Sequence, residues 1–431
     1  MRSRWLACAW LSLAMMTGAP DAGADVLLEA RQLVLAGDRE GARALLEEQL
    51  RKTPDNPDVH LTYAFVRGAL GERAEVRSEY VNLLRSDPDN PVYAVTMLSV
   101  SPPSQFVTRM FARLLEKNPE FAPGWEEWGR YHLVNWNPAE AVPPLERAIA
   151  LAPGRTRSLL YLGLAHRTMG DFMPEFRYLS QAFQADSLDA QIRAEWAFTI
   201  LDRGDPELAL RVVNPLLDGA VDDDYPFVIA AAAYAQLGET DRCEARKREA
   251  EERNPNLLRD ILHRGIQFRN VAQGREAERM FRLALDLDPN FEPAAVQLGV
   301  LLMNRGWFPQ ARETFERLVR TPAGSTDAVA WKHLGACAAE MGDQEDALAS
   351  FDTALAIDPG LVGARAERAR ALTRLDRFEE AADEWERVID RDPRGWIATE
   401  ARRSIGYLRK GEAPPPIERR NEVNENPATA R

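Results

Sequence analysis

AVAWKHLGACAAEMGDQEDALASFDTALAIDPGL, residues 328–361, decides the fold. Trp331, Leu334, Gly335 and Ala338 recur at helical spacing, so one face of a first helix is apolar or small. Gly342-Asp343 breaks that helix. Ala347, Phe351 and Ala354 give a second helix its buried face. Asp358-Pro359 closes the unit, because proline lacks a backbone donor and disfavours helix at the residue before it. Gly335 and Ala347 leave room for the two helices to approach, and Trp331, Leu334 and Phe351 fill the space beside them.

The same punctuation runs along the chain. The short turn recurs at Gly37, Gly71, Trp136, Gly170, Gly204, Gly238, Ala272, Gly306, Gly342 and Asp376, with steps of 34 residues from Trp136 to Gly306. A second mark follows at Pro54, Pro88, Pro153, Ser187, Pro255, Pro289, Pro359 and Pro393. A fixed period of this size means stacked supersecondary units. Such an array has no single closed core for an active site, and its usual product is a long binding surface.

The pattern resembles the tetratricopeptide repeat. Leu298, Gly299, Gly306, Ala311 and Phe315 carry it in one unit; Gly265, Phe268, Ala277, Phe281, Ala284 and Pro289 in another; Trp125, Gly129, Ala141, Ala148 and Pro153 in a third. The resemblance spans roughly residues 25 to 395. It implies an all-α, right-handed superhelical solenoid of about eleven helix–turn–helix repeats with a C-terminal capping helix. The expected layout is a signal peptide over 1–24, an N-terminal array over 25–121, a main array over 122–395, a capping helix over 396–410 and a disordered tail over 411–431.

Two departures stand out. The third repeat, about 91–121, is short, and Pro102-Pro103 replace its turn glycine. In the next repeat Pro143 and Pro144 should kink or shorten the second helix. Residues 91–145 therefore read as a bend between the arrays. In the capping helix, Trp396, Ile397, Ala401, Ile405 and Leu408 should turn inward.

Arg2 and Arg4, the apolar run Trp5 to Met16 and the small-residue site Ala22-Gly23-Ala24 read as a secretory signal cleaved after Ala24, with an uncleaved anchor as the alternative. The expected location is the periplasm or the outside of the cell. The formal charge is −13, from 54 Lys and Arg against 67 Asp and Glu. That disfavours a nucleic-acid groove and attachment to anionic lipid. Stable membrane insertion of the mature chain is not expected. Cys243 and Cys337 lie about three repeats apart, too far for a disulfide, and should be buried small residues.

No chemistry-bearing constellation stands out. His60, His132, His166, His263 and His333 lack metal-ligand spacing. Asp222-Asp223-Asp224 reads as a solvated turn rather than a calcium loop. No cofactor, metal or catalytic residue is expected, and the protein is read as a non-enzyme.

In the resembled family the first helices line the concave face. The residues expected there are Arg130, Tyr161, Leu164, Arg167, Phe198, His263, Arg269, Gln297, Asn304, Lys332, His333 and Arg370. Leu164, Phe198, Ile266 and Val300 form an apolar strip that either receives a peptide or packs on the next repeat. The family's Lys and Asn grip on a partner's C-terminal carboxylate is not reproduced, since Ala336 stands beside Lys332 where Asn is needed. Trp136 and Trp307 sit at turns, as exposed binding residues or as covers for a neighbouring loop. The leading expectation is a scaffold for a protein or peptide partner in a bacterial envelope assembly or secretion machine. Self-assembly is the second reading. Carbohydrate binding through Trp125, Trp128 and Trp136 is the third.

Overall fold

The protein is described by a computed structural model covering residues 22–217 and 223–415. The basic start and apolar run of the expected signal, Asp222 and the tail beyond 415 lie outside the described residues. Among the described residues there are 23 α-helices and no strand. They pair as α1 (Ala22–Leu35) with α2 (Arg39–Lys52), α3 (Pro57–Ala69) with α4 (Arg73–Ser86), α5 (Pro91–Ser99) with α6 (Gln105–Lys117), and α7 (Ala122–Val134) with α8 (Pro138–Leu151). Then come α9 (Thr156–Met169) with α10 (Phe172–Ala185), α11 (Ala190–Asp202) with α12 (Pro206–Leu217), α13 (Tyr225–Gln236) with α14 (Thr240–Arg253), and α15 (Leu257–Asn270) with α16 (Gly274–Leu287). The last pairs are α17 (Glu292–Asn304) with α18 (Phe308–Val319), α19 (Ala328–Met341) with α20 (Gln344–Ile357), and α21 (Val362–Arg374) with α22 (Phe378–Arg391), followed by the single helix α23 (Trp396–Leu408).

Local chemistry sets these boundaries. Asn56 and Asn90 accept hydrogen bonds from the first-turn N–H groups of α3 and α5, each of which opens on a proline. All ten recurring turn positions have positive φ, from 58° at Asp376 to 95° at Gly342. Glycine tolerates that backbone freely. Trp136, Ala272 and Asp376 adopt it at a cost of about 1 kcal/mol each. After each turn the chain bonds back to the finished helix, as where Asp171 N–H donates to His166 O at 2.8 Å.

The short third repeat is seen in α5, only 9 residues long. The shortening expected of α8 is corrected. That helix runs 14 residues through Pro143 and Pro144 and is not shortened. The two prolines lie early in it, so only the carbonyls of Ala139 and Glu140 lose donors, and both residues are exposed to water. In α23, Ala401 and Leu408 are buried and Ile397 and Ile405 pack on the same cluster. Trp396 is corrected: at the first position of the helix it is 73% exposed.

Two compact units result: residues up to 260 with 267–276, and 261–266 with residues from 277 onward. The break expected at 121 lies inside the first unit. Within each unit, consecutive helices pack, and odd-numbered helices also touch the next odd-numbered one, as α7 touches α9 and α19 touches α21. Odd helices are therefore the crowded, inner side of each stack. Glycines make the close pairing possible: a Cβ on Gly299 would lie 2.4 Å from the Phe315 ring, and one on Gly335 would lie 2.6 Å from the Phe351 ring. Cys243 and Cys337 are buried and are not joined in a disulfide.

Candidate functional site

The inner face of the first unit is closed by the chain itself. Arg31 on α1 donates to Asp189 at the start of α11 (2.8 Å), across 158 residues. Arg155, ahead of α9, donates to Asp58 on α3 (2.7 Å). At the turn ends, Trp136 meets the Phe268 ring edge-on at 5.3 Å between centroids. Arg275 donates to the Gly170 carbonyl and lies over the Phe172 ring. Repeats three to five apart therefore touch within this unit.

Charged groups on the odd helices bond to one another. Arg167 donates to Glu175 (2.9 Å), Glu195 (2.5 Å), the Glu195 carbonyl (3.1 Å) and Thr199 (2.8 Å). Its guanidinium lies 5.1 Å over the Phe198 ring. Burial opposes its charge, but Glu195, Tyr225 and Glu175 outweigh burial and raise its pKa. One repeat back, Glu126 accepts from Arg155 (2.9 Å) and Ser158 (2.6 Å), and Glu127 accepts from Arg130 (2.7 Å). Arg130 also reaches the Ser99 carbonyl (3.1 Å).

The expected groove residues of this unit therefore divide. Phe198 and Arg167 are corrected: both are buried, so neither is a surface for a partner. Tyr161 and Leu164 are partly buried against the core of α9 and α10. Arg130 and Arg269 are half-buried. Arg31, Asp58, Glu126, Arg155, Arg157 and Asp189 escaped the sequence reading. The one local signal was the pair Glu126-Glu127 set between Trp125 and Trp128 on an inward helix.

In the second unit the inner side is more accessible. His263 and Asn304 are exposed, and Gln297 and Lys332 are half-buried. Arg370 is held by Glu367 (2.6 Å) and Glu400 (2.5 Å) and stacks on Trp385. Trp307 is 45% exposed with Arg305 over its ring. Trp136 is 44% exposed. Among the described residues no cluster of His, Cys, Asp and Glu could hold a metal ion.

His333 stacks on Phe315 at 5.3 Å. Burial first, and the Lys332 charge second, lower its pKa to about 4. The unfolded chain takes up that proton near pH 6.5, so stability is full above that pH and falls as pH drops from 6.5 towards 4. Between pH 7.5 and 4.5 this residue should contribute a loss of about 2–3 kcal/mol. Urea titrations of the native protein and of His333→Leu at both pH values check it. An equal pH loss in the two would remove His333 as the source.

Known proteins place the chain. A tetratricopeptide repeat family model matches residues 33–98 and 338–397, and a second one matches residues 296–362. The crystal structure of MamA protein is 22% identical, over 36% of this chain and 83% of that one, with a TM-score of 0.34. The human IFIT1 dimer with m7Gppp-AAAA is 16% identical, over 86% of this chain and 91% of that one, with a TM-score of 0.36. No curated protein matches. With ten left-handed turns in phase, helices paired throughout the described residues and family models matching at both ends, the chain belongs to the tetratricopeptide repeat family.

Proposed function

We propose that the protein is a non-enzymatic scaffold that holds protein partners together in the bacterial periplasm, within an envelope assembly or secretion machine. The observation that carries the reading is the inner side of the second unit. There His263, Gln297, Asn304 and Lys332 keep accessible surface on successive odd helices, while the corresponding side of the first unit is taken up by its own ion pairs. Accessible polar groups on a rigid, repeated helix face suit recognition of an extended or helical segment. Arg2, Arg4 and the apolar run after them support export. The charge of −13 supports protein rather than nucleic-acid partners. Among the described residues no helix is long and apolar enough to cross a membrane.

The test is affinity capture from the envelope fraction with the native protein and with an Asn304→Glu, Lys332→Glu variant of unchanged helicity and melting. Specific proteins present with the native form and absent with the variant are the expected result. Recovery of the protein alone would replace this reading with self-assembly. N-terminal sequencing of the cell-derived protein tests export separately: a mature chain beginning at Asp25 is expected, and an intact Met1 in the cytoplasmic fraction would refute it.

A further inference from the structure

The first unit holds two groups of helices with separate cores. Ala30, Leu46, Val59 and Tyr63 pack among α1–α3. Leu160, Leu179 and Ile192 pack among α9–α11. Among the described residues no helix of α1–α4 packs along a helix of α9–α11. Two ion pairs join the groups: Arg31 with Asp189 (2.8 Å) and Arg155 with Asp58 (2.7 Å). Along the chain the groups are linked through the short third repeat. There α5 has 9 residues against 13 in α3 and in α7, so about one helical turn of packing is missing. Pro102-Pro103 stand where the other repeats place their left-handed turn residue.

Each ion pair is built so that it can part without stranding a buried charge. Asp189 accepts from Arg31 through one carboxylate oxygen and from the Ile192 N–H (3.1 Å) through the other, which caps α11. Arg155 grips Glu126 through two nitrogens (2.9 and 3.1 Å) besides reaching Asp58. Asp189 and Arg155 thus keep a second partner on their own side when the groups separate. Their mates on the other side, Arg31 and Asp58, are already 25% and 43% exposed and pass fully into water. Closure also carries a cost. The Arg31 Nε is buried with no hydrogen-bond partner among the described residues. Burial first, and the Arg157 charge second, hold the Arg31 pKa down. Arg167 and Glu175, both buried, are the opposite case, because parting them leaves a carboxylate in the interior.

We propose that α1–α4 form an arm, latched onto α9–α11 by these two ion pairs and hinged at the third repeat, so that the first unit alternates between a closed and an open form. Ionic strength sets the balance between the two. The device stands independently of the scaffold reading, because it needs no partner.

The experiment is single-molecule energy transfer between dyes on Asp55→Cys and Ser187→Cys, one on each side of the latch, with every native cysteine replaced by alanine in the whole protein. A control pair on Glu146→Cys and Ser187→Cys stays within α8–α10. Salt is raised from about 0.01 M to about 1 M, which cuts electrostatic screening from about 30 Å to about 3 Å. One high-transfer population is expected at low salt, with a second, low-transfer population growing as salt rises. Arg31→Gln and Asp58→Asn should each raise the open-to-closed ratio about two- to fivefold, and together by about the product. Each change leaves the bonds within α9–α11 in place, so helicity and the control pair should not move. An unchanged distribution in the double variant at high salt overturns the proposal, since packing would then hold the groups together. A low-transfer population that appears only with loss of helicity also overturns it, because the arm would be unfolding rather than swinging. So does a native protein that shows only low transfer at low salt, which would have no closed form to release.

Discussion

Replacing Arg167 with alanine should cost about 3–5 kcal/mol of stability, among the largest effects available in this chain. Glu175 is 1% exposed, and Arg167 donates to it at 2.9 Å. Glu195 loses its own guanidinium contact at the same time. The alanine variant therefore takes from both carboxylates the guanidinium that offsets the cost of burying their charge. The side chain also lies flat on Phe198, so packing is lost with the charge. Urea unfolding followed by circular dichroism measures the loss. Arg167→Met combined with Glu175→Gln should recover most of it, because exchanging a buried ion pair for neutral groups of similar volume is far cheaper than removing one partner. A cost below about 1 kcal/mol for the alanine variant would mean that water reaches Glu175.

Phe315→Ala should cost a similar amount, about 3–5 kcal/mol, for a different reason. The ring is fully buried, and it rests directly on the backbone of α17 at Gly299. Truncation leaves a void that two stiff helices cannot collapse to fill. The reciprocal change, Gly299→Val, drives a side chain into the ring and should cost about 1–3 kcal/mol. The double variant Phe315→Leu, Gly299→Ala should lose less than the sum of its parts, because each change relieves the other. Strict additivity in a double-mutant cycle would show that Gly299 and Phe315 do not act as a pair.

The sequence places Gly335 and Ala347 at the close approach of the helices with Phe351 beside them, and the reason this much is legible is local. Gly299 with Phe315, and Gly335 with Phe351, lie 16 residues apart and recur in phase, so repetition reveals their contact. The left-handed turns were legible the same way, even where Trp136, Ala272 and Asp376 are poor residues for that backbone; phase located them where residue type would not. Trp396 was misread because helical periodicity assigns a face but not the depth of a first-turn residue. Phe198 and Arg167 were misread for a larger reason. A groove residue and an interior residue occupy the same position in the repeat, and only the curvature accumulated over several repeats separates them. The contact between Arg31 and Asp189 spans 158 residues and leaves no periodic trace.

That contact also bears on how such a chain can change its length. An open helical array gains or loses a repeat by duplication or deletion with little penalty, since each repeat touches only its neighbours. Between Arg31 and Arg275 this freedom is absent. One extra pair of helices would carry Asp189 away from Arg31, Arg155 from Asp58 or Arg275 from Gly170, depending on where it fell. The number of repeats in the first unit is therefore fixed by its own closing contacts, and growth of the array is confined to the helices beyond α16.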